Sequence, residues 1–235
     1  MNFDQLIKVF EKAHNYLQNH AVSTVNQSLT VRNWLFGHFI VEYEQNGEDR
    51  AKYGTELLKK LADRLSRKNI KGLSDRNLRN CRQFYLVYPN IYQVLSELAL
   101  PESIWQSPTA KSHKGLINSG FDGVNPKLLL STLSFTHIIE LAREEDPIKR
   151  AFYEVQAVKG NWSVTELQRQ MGSLLYERTG LSTNKEELML DANKDAKQIT
   201  PAGIMRDPYV FEFIGLESEK KVTERRLEEA LIDHL

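Results

Sequence analysis

Cysteine is nearly absent. Cys81 is the single one in 235 residues, which excludes an internal disulfide framework and fits a reducing compartment. Its place in a helical apolar pattern predicts a small buried hydrophobe rather than a reactive thiol. Net charge is absent too, with 31 Lys and Arg against 31 Asp and Glu, so any pull on nucleic acid must come from local segregation. No run approaches the roughly 18 apolar residues of a membrane span, and MNFDQLIKVF has no basic region leading into an apolar one. A cytoplasmic protein without membrane association is expected. Repeats and low-complexity tracts are missing. With 41% hydrophobic and 26% charged residues, the chain can bury a real core and lies far from compositions that stay disordered.

Signatures of catalysis are missing as well. His14, His20, His38, His113, His137 and His234 form no ligand constellation, and single histidines are more often core or surface residues than metal ligands. No GxxxxGK(S/T) loop, GxGxxG after a strand, HExxH or GxSxG occurs. Glu219-Lys220-Lys221 matches the E-x-K half of a metal-dependent nuclease motif, but in a polar helical stretch without the strand needed to aim both side chains. The chain therefore reads as non-catalytic, with no metal or other cofactor of its own.

What is present is helical periodicity, and an all-α, multi-helix fold is expected. Leu6, Ile7, Phe10, Ala13, Tyr16 and Leu17 predict a helix over 4–19, and a second is expected over about 23–45, ending near Asn46-Gly47. Leu57, Leu58, Leu61 and Leu65 predict one over about 52–67, followed by 75–88 and a short one from Asn90 to Leu100. Pro101, Pro108, Gly115, Gly120, Gly123 and Pro126 mark 101–126 as a loop or insertion. Helices resume at 128–133 and 135–143. Asp146-Pro147 starts another, ending near Gly160. Ser163 and Glu166 form a capping box, with Trp162 and Leu167 as its hydrophobic staple, for a helix ending at Gly180 that buries Val164, Leu167, Met171 and Leu174. After polar 182–203, apolar residues return at Tyr209–Ile214, and a last helical pattern begins near 217. The expected organisation is a helical subdomain at 1–100 with a helix-turn-helix-like unit at about 52–88, the insertion, a second helical subdomain at 127–216, and a helix over 217–235.

The stretch KGLSDRNLRNCRQFYLVYP, residues 71–89, raises the functional question. Ser74 is the natural N-cap and Leu73 can staple onto Leu78. At about 100° per residue, Leu78, Cys81, Tyr85 and Tyr88 share one side, Arg76, Arg79, Asn80 and Gln83 the other, and Arg82 lies nearer the buried edge. Arginine can grip guanine through two hydrogen bonds, and asparagine or glutamine can do the same to adenine. Lys59, Lys60, Arg67, Lys68 and Lys71 precede them, suited to phosphate contacts that set register. From 50 to 82 there are eleven basic residues and three acids, a local excess of eight in a neutral chain. Two readings stay open. Such a face suits a DNA groove, yet it is also the ordinary solvated side of an amphipathic helix, and the 66–73 connection is longer than the standard turn. RNA binding ranks lower, because stacking aromatics on a sheet are missing. In the pair 147–159 and 164–178, Glu154, Glu166 and Glu177 offset the bases, which favours packing or self-association.

Four phrases, RAKYGTELLKKLADRLSRK (50–68), GLSDRNLRNCRQFYLVYP (72–89), LSFTHIIELAREEDPIKRAFYEVQAVKGNWSVTELQRQMGSLLYERTG (133–180) and RDPYVFEFIGL (206–216), occur in the order seen in one family. Together they resemble the N-terminal domain of the YhcG-like bacterial nucleases, which pair a helical N-terminal domain with a C-terminal PDDEXK endonuclease domain. The resemblance covers most of 25–235. It implies a helix-turn-helix-like DNA-binding or assembly module, in a homo-oligomer on double-stranded DNA, with Ser74–Tyr88 as recognition helix. Trp162-Ser163-Val164, Arg169 and Tyr176-Glu177-Arg178 mark the second element. The sequence stops at LEEALIDHL (227–235), where similar proteins pass into the nuclease domain, so the divalent metal implied by the resemblance belongs to a domain this chain lacks. An excised fragment is expected, rather than a lineage that lost its catalytic half.

Overall fold

A computed structural model describes residues 3–46, 56–95, 124–181 and 183–184. The described chain is helical, without strands: α1 (Phe3–Asn46), α2 (Leu57–Arg67), α3 (Asp75–Val87), a 3-10 turn (Pro89–Ile91) running into α4 (Tyr92–Leu95), α5 (Pro126–Thr132), α6 (Phe135–Leu141), α7 (Pro147–Lys159), α8 (Val164–Gly172) and α9 (Leu175–Leu181). Most of the expected 101–126 insertion, the segments 185–203 and 209–214, and the last helical pattern with its Glu219-Lys220-Lys221 lie outside the described residues.

The expected break between 4–19 and 23–45 does not occur. α1 is one helix of 44 residues, about 66 Å at 1.5 Å per residue. Neither proline nor glycine interrupts it before Gly37, and its polar residues bond along the helix rather than cap it: the Thr24 hydroxyl donates to the His20 carbonyl at 2.9 Å, and that of Thr30 to Asn26 at 2.8 Å.

The carboxy-terminal half of α1 is the central post of the molecule. Val31, Trp34, Leu35 and Val41 join one buried cluster with Cys81, Phe84, Tyr85 and Tyr88 of the α3 segment and with residues of α5 to α9. Gly37 is where α1 and α3 touch most closely: a Cβ there would stand 2.0 Å from the Cys81 carbonyl oxygen. Trp34 lies edge-on to Tyr85 at 5.1 Å and donates its indole N–H to the Tyr88 carbonyl at 2.8 Å. The Tyr88 hydroxyl donates to Glu154 at 2.8 Å, and Glu154 also accepts the Val124 amide at 3.4 Å. One buried carboxylate thus ties the end of α3 to α7 and to the start of α5. Burial pushes Glu154 above the usual carboxylate range, against the opposing Tyr88 hydrogen bond.

Helix ends follow local chemistry. Asp146 caps α7 through the Ile148 amide at 2.8 Å, with Pro147 in the first turn, as expected. Ser163 accepts the Glu166 amide at 3.3 Å, while the Glu166 carboxylate also holds Arg169 at 2.7 Å and Gln170 at 2.6 Å. Asn69 (φ 58°), Asn161 (φ 48°) and Leu174 (φ 55°) are the described non-glycine residues in the left-handed region, and each follows a helix C-cap. Ile70 and Asn69 donate to the Leu65 and Ser66 carbonyls, and Trp162 and Asn161 to those of Ala157 and Val158. Both are Schellman closures with asparagine as the left-handed residue.

The third left-handed residue corrects the single helix expected up to Gly180. The chain breaks at Ser173-Leu174 and restarts as α9. Leu174, expected to be buried, is 52% exposed, and Leu175 fills the core instead. Tyr153 spans the break: its hydroxyl donates to the Gln170 carbonyl at 3.5 Å and accepts the Tyr176 amide at 3.3 Å. One buried hydroxyl thereby satisfies an orphan group at the end of α8 and another at the start of α9.

Candidate nucleic-acid interface

α3 forms where the sequence predicts it. Ser74, with extended backbone, accepts the Asn77 amide at 3.2 Å, Gly72 supplies the left-handed turn before it (φ 77°), and the Asn77 side chain bonds back to the Gly72 carbonyl. Leu73 and Leu78 meet in a small buried cluster with Ile40, so the staple fixes the angle at which the chain enters α3. Leu78, Cys81, Phe84 and Tyr85 are buried. Cys81 is fully enclosed and burial pushes its thiol up to about 12, so it is an inert core residue.

The outward side of α3 carries the expected set, unevenly. Arg76 is exposed. Arg79 is exposed and ion-paired with Asp75, one turn earlier. Asn80 is half-buried and Gln83 is exposed, its amide donating to the Ala142 carbonyl at 3.4 Å just after α6. Arg82 leans to the core side and pairs with Glu44 of α1 at 2.7 Å. Arg76 and Arg79 therefore occupy the first turns of α3, while Gln83 lies where α3 meets α6.

α2 supplies the remaining cations. Lys59, Arg67, Lys68 and Lys71 are exposed, and Lys60 pairs with Glu56 at 2.9 Å. None of the α2 residues is fully buried. Leu58, Leu61, Ala62 and Leu65 pack only partly against the Ile40, Leu73 and Leu78 cluster, leaving a groove of about 370 Å³ between α1 and α2 with Lys60 and Arg64 on its wall. The connection from Lys68 to Ser74 is the long turn expected. Its basic residues sit on the same side of the sequence junction as Arg76, so α2, the turn and the first turns of α3 make a continuous cationic stretch. Arg50 and Lys52 lie outside the described residues.

The second helix pair presents no comparable surface. Lys149 bridges Glu144 at 3.2 Å and Glu177 at 2.7 Å, and Arg169 is held by Glu166. Gln170 is buried, contrary to its expected loose position, because its amide donates to Glu166. His137 is interior as well: Nδ1 accepts the Ser134 amide at 3.2 Å and Nε2 donates to the Trp162 carbonyl at 3.0 Å, which defines a neutral ring. Burial holds its pKa down to about 4. Among the described residues no group of three or more His, Cys, Asp or Glu is arranged to hold a metal ion, and no helix is long and apolar enough to cross a membrane.

An all-α domain with one basic helix pair is thus the class of molecule in hand. The chain belongs to the DUF1016 N-terminal domain family, whose model matches residues 10–178. It is 35% identical over 220 residues to the putative nuclease YhcG of Escherichia coli (strain K12). That match covers 93% of this chain and 57% of the relative, so the chain spans little more than half of that protein's length. No solved structure matches.

Proposed function

We propose that this chain is the DNA-binding and self-associating N-terminal region of a PDDEXK-type nuclease, itself non-catalytic and without a cofactor. The observation that carries the reading is the exposure of Arg76 and Arg79 on the first turns of α3, the part of a recognition helix that reaches base edges, directly after the exposed Arg67, Lys68 and Lys71. Arg76 and Arg79 face the groove, with Asn80 and Gln83 further along the helix. Lys59, Lys60, Arg67, Lys68 and Lys71 contact phosphates. The Asp75 partner of Arg79 must be exchanged for DNA, which costs little at an exposed pair. A relative named as a putative nuclease supports DNA as the target.

The test is binding of a labelled duplex by Arg76→Ala/Arg79→Ala. Affinity should fall roughly tenfold or more, with unchanged helical circular dichroism and a salt dependence shallower by about 0.9 per lost phosphate contact. Unaltered affinity at low salt removes the assignment. A purely structural interaction module is the rival, favoured by the ion pairs that already engage Arg79 and Arg82. It gives an oligomer whose elution on size exclusion ignores added duplex.

A further inference from the structure

The amino-terminal half of α1 carries an apolar stripe that the described fold leaves open. Ile7, Phe10, Tyr16 and Leu17 expose 44%, 67%, 69% and 63% of their surface, whereas Val22, Val25 and Leu29 further along are buried. The stripe is not an overrun of the core face. At about 100° per residue, Ile7, Phe10 and Leu17 lie within about 80° of one another, and the side that buries Val22, Asn26, Leu29 and Thr30 is centred roughly a third of a turn away.

The sequence of this half has a seven-residue period. Taking Phe3 as the first position of a heptad, every Asp, Glu, Lys, Asn and Gln from 3 to 21 falls on the three outward positions, and the four inward positions carry no Asp, Glu, Lys or Arg. That period is the one helices need to pair along a common seam. Uncharged seam edges let a second copy approach without like-charge repulsion. Lys8 and Lys12 are matched by Asp4 and Glu11, so the flank has no excess charge to draw an anionic lipid or nucleic acid. At about 150–250 Å² per fully exposed aromatic, the four exposed side chains offer roughly 450 Å² per copy. Two copies therefore approach the roughly 1,000 Å² that a stable interface clears.

We propose that this stripe, centred on Phe10 and Leu17, is where two copies of the chain join, helix against helix. The proposal rests on the self-association half of the reading above and names its surface; the DNA half is independent of it. Sedimentation of the full 235-residue chain should give a dimer or higher species, and Phe10→Glu/Leu17→Glu should weaken association at least about a hundredfold. A mass unchanged by that double variant, or a monomeric parent chain, overturns the proposal. Should the double variant fail to fold, a spin label on Lys8→Cys reports instead, since Cys81 is buried. A discrete distance between labels on two copies is expected, and no coupling overturns the proposal. Arg76→Ala/Arg79→Ala should leave the mass unaltered, so loss of duplex binding there touches only the DNA reading.

Discussion

Gly37→Ala is the sharpest test of how α3 is held. The added methyl would lie 2.0 Å from the Cys81 carbonyl oxygen, 2.7 Å from its carbon and 2.9 Å from the Tyr85 Cβ. Two of these three neighbours are backbone, so no side chain can rotate away. α1 and α3 must separate by about 1 Å, a gap that forfeits a quarter to a half of the dispersion attraction across the contact. Overpacking of a core costs about 1–3 kcal/mol, and the fixed backbone puts this site near about 3. Against that stands the intrinsic helix preference for Ala over Gly, up to about 1 kcal/mol. The net loss is about 2 kcal/mol, or a urea midpoint lower by roughly 1 M for a slope near 2 kcal/mol/M. Gly172, with no atom within 4 Å of an added Cβ, is the control: Gly172→Ala should be neutral or stabilising by up to about 1 kcal/mol. If Gly37→Ala matches or exceeds the parent chain in chemical denaturation, α1 and α3 do not cross as closely as described.

His137 sets an acid limit. Its folded pKa of about 4 lies below the unfolded value of 6.5, so the unfolded chain takes up the proton first; stability is complete above about pH 6.5 and is lost as pH falls towards 4, by on the order of 3 kcal/mol. His137→Asn should flatten that segment of a stability-against-pH curve, and Glu154, whose raised pKa works in the opposite direction, should still act in the variant. Leu174→Gly should raise the melting temperature, worth about 1 kcal/mol, by relieving an exposed left-handed leucine. Tyr153→Phe should cost about 1–2 kcal/mol in urea unfolding, because it strips partners from both sides of the break between α8 and α9. Ser74→Ala should cost about 1 kcal/mol in the same assay by removing the cap of α3.

Where the signal is local, the sequence is a reliable guide. Ser74, Asp146 and Ser163 each cap the helix that follows, because a short oxygen-bearing side chain beside an orphan amide needs nothing distant to act. The faces of α3 follow from a period of 3.6 residues, and Cys81 lands in the core on that ground alone. Errors arise where distant groups decide. Nothing near Ser173-Leu174 announces a left-handed leucine; the break exists because the Tyr153 hydroxyl, about twenty residues earlier, receives the groups it frees. Gly172 is the one local hint. The join within α1 fails as an expectation for the opposite reason, since polar residues such as Thr24 read as interruptions while their hydroxyls bond along the helix itself.

The candidate interface shows the same division, and the division has a consequence. Which residues of α3 face outward is a matter of register, so the placing of Arg76 and Arg79 was legible. Which of those residues are already engaged depends on contacts with other elements: Arg82 with Glu44 of α1, and Gln83 with the carbonyl of Ala142 after α6. The back of α3 is fixed by the Gly37 crossing and by the Trp34 and Tyr88 hydrogen bonds, so its free face is presented on a rigid support with little backbone entropy left to lose on binding. Core and surface substitutions on this helix should accordingly separate. Loosening the crossing at Gly37 lowers stability first and duplex binding only through it. Truncating Arg76 and Arg79, whose described neighbours are solvent and Asp75, lowers binding while leaving the unfolding curve nearly where it was.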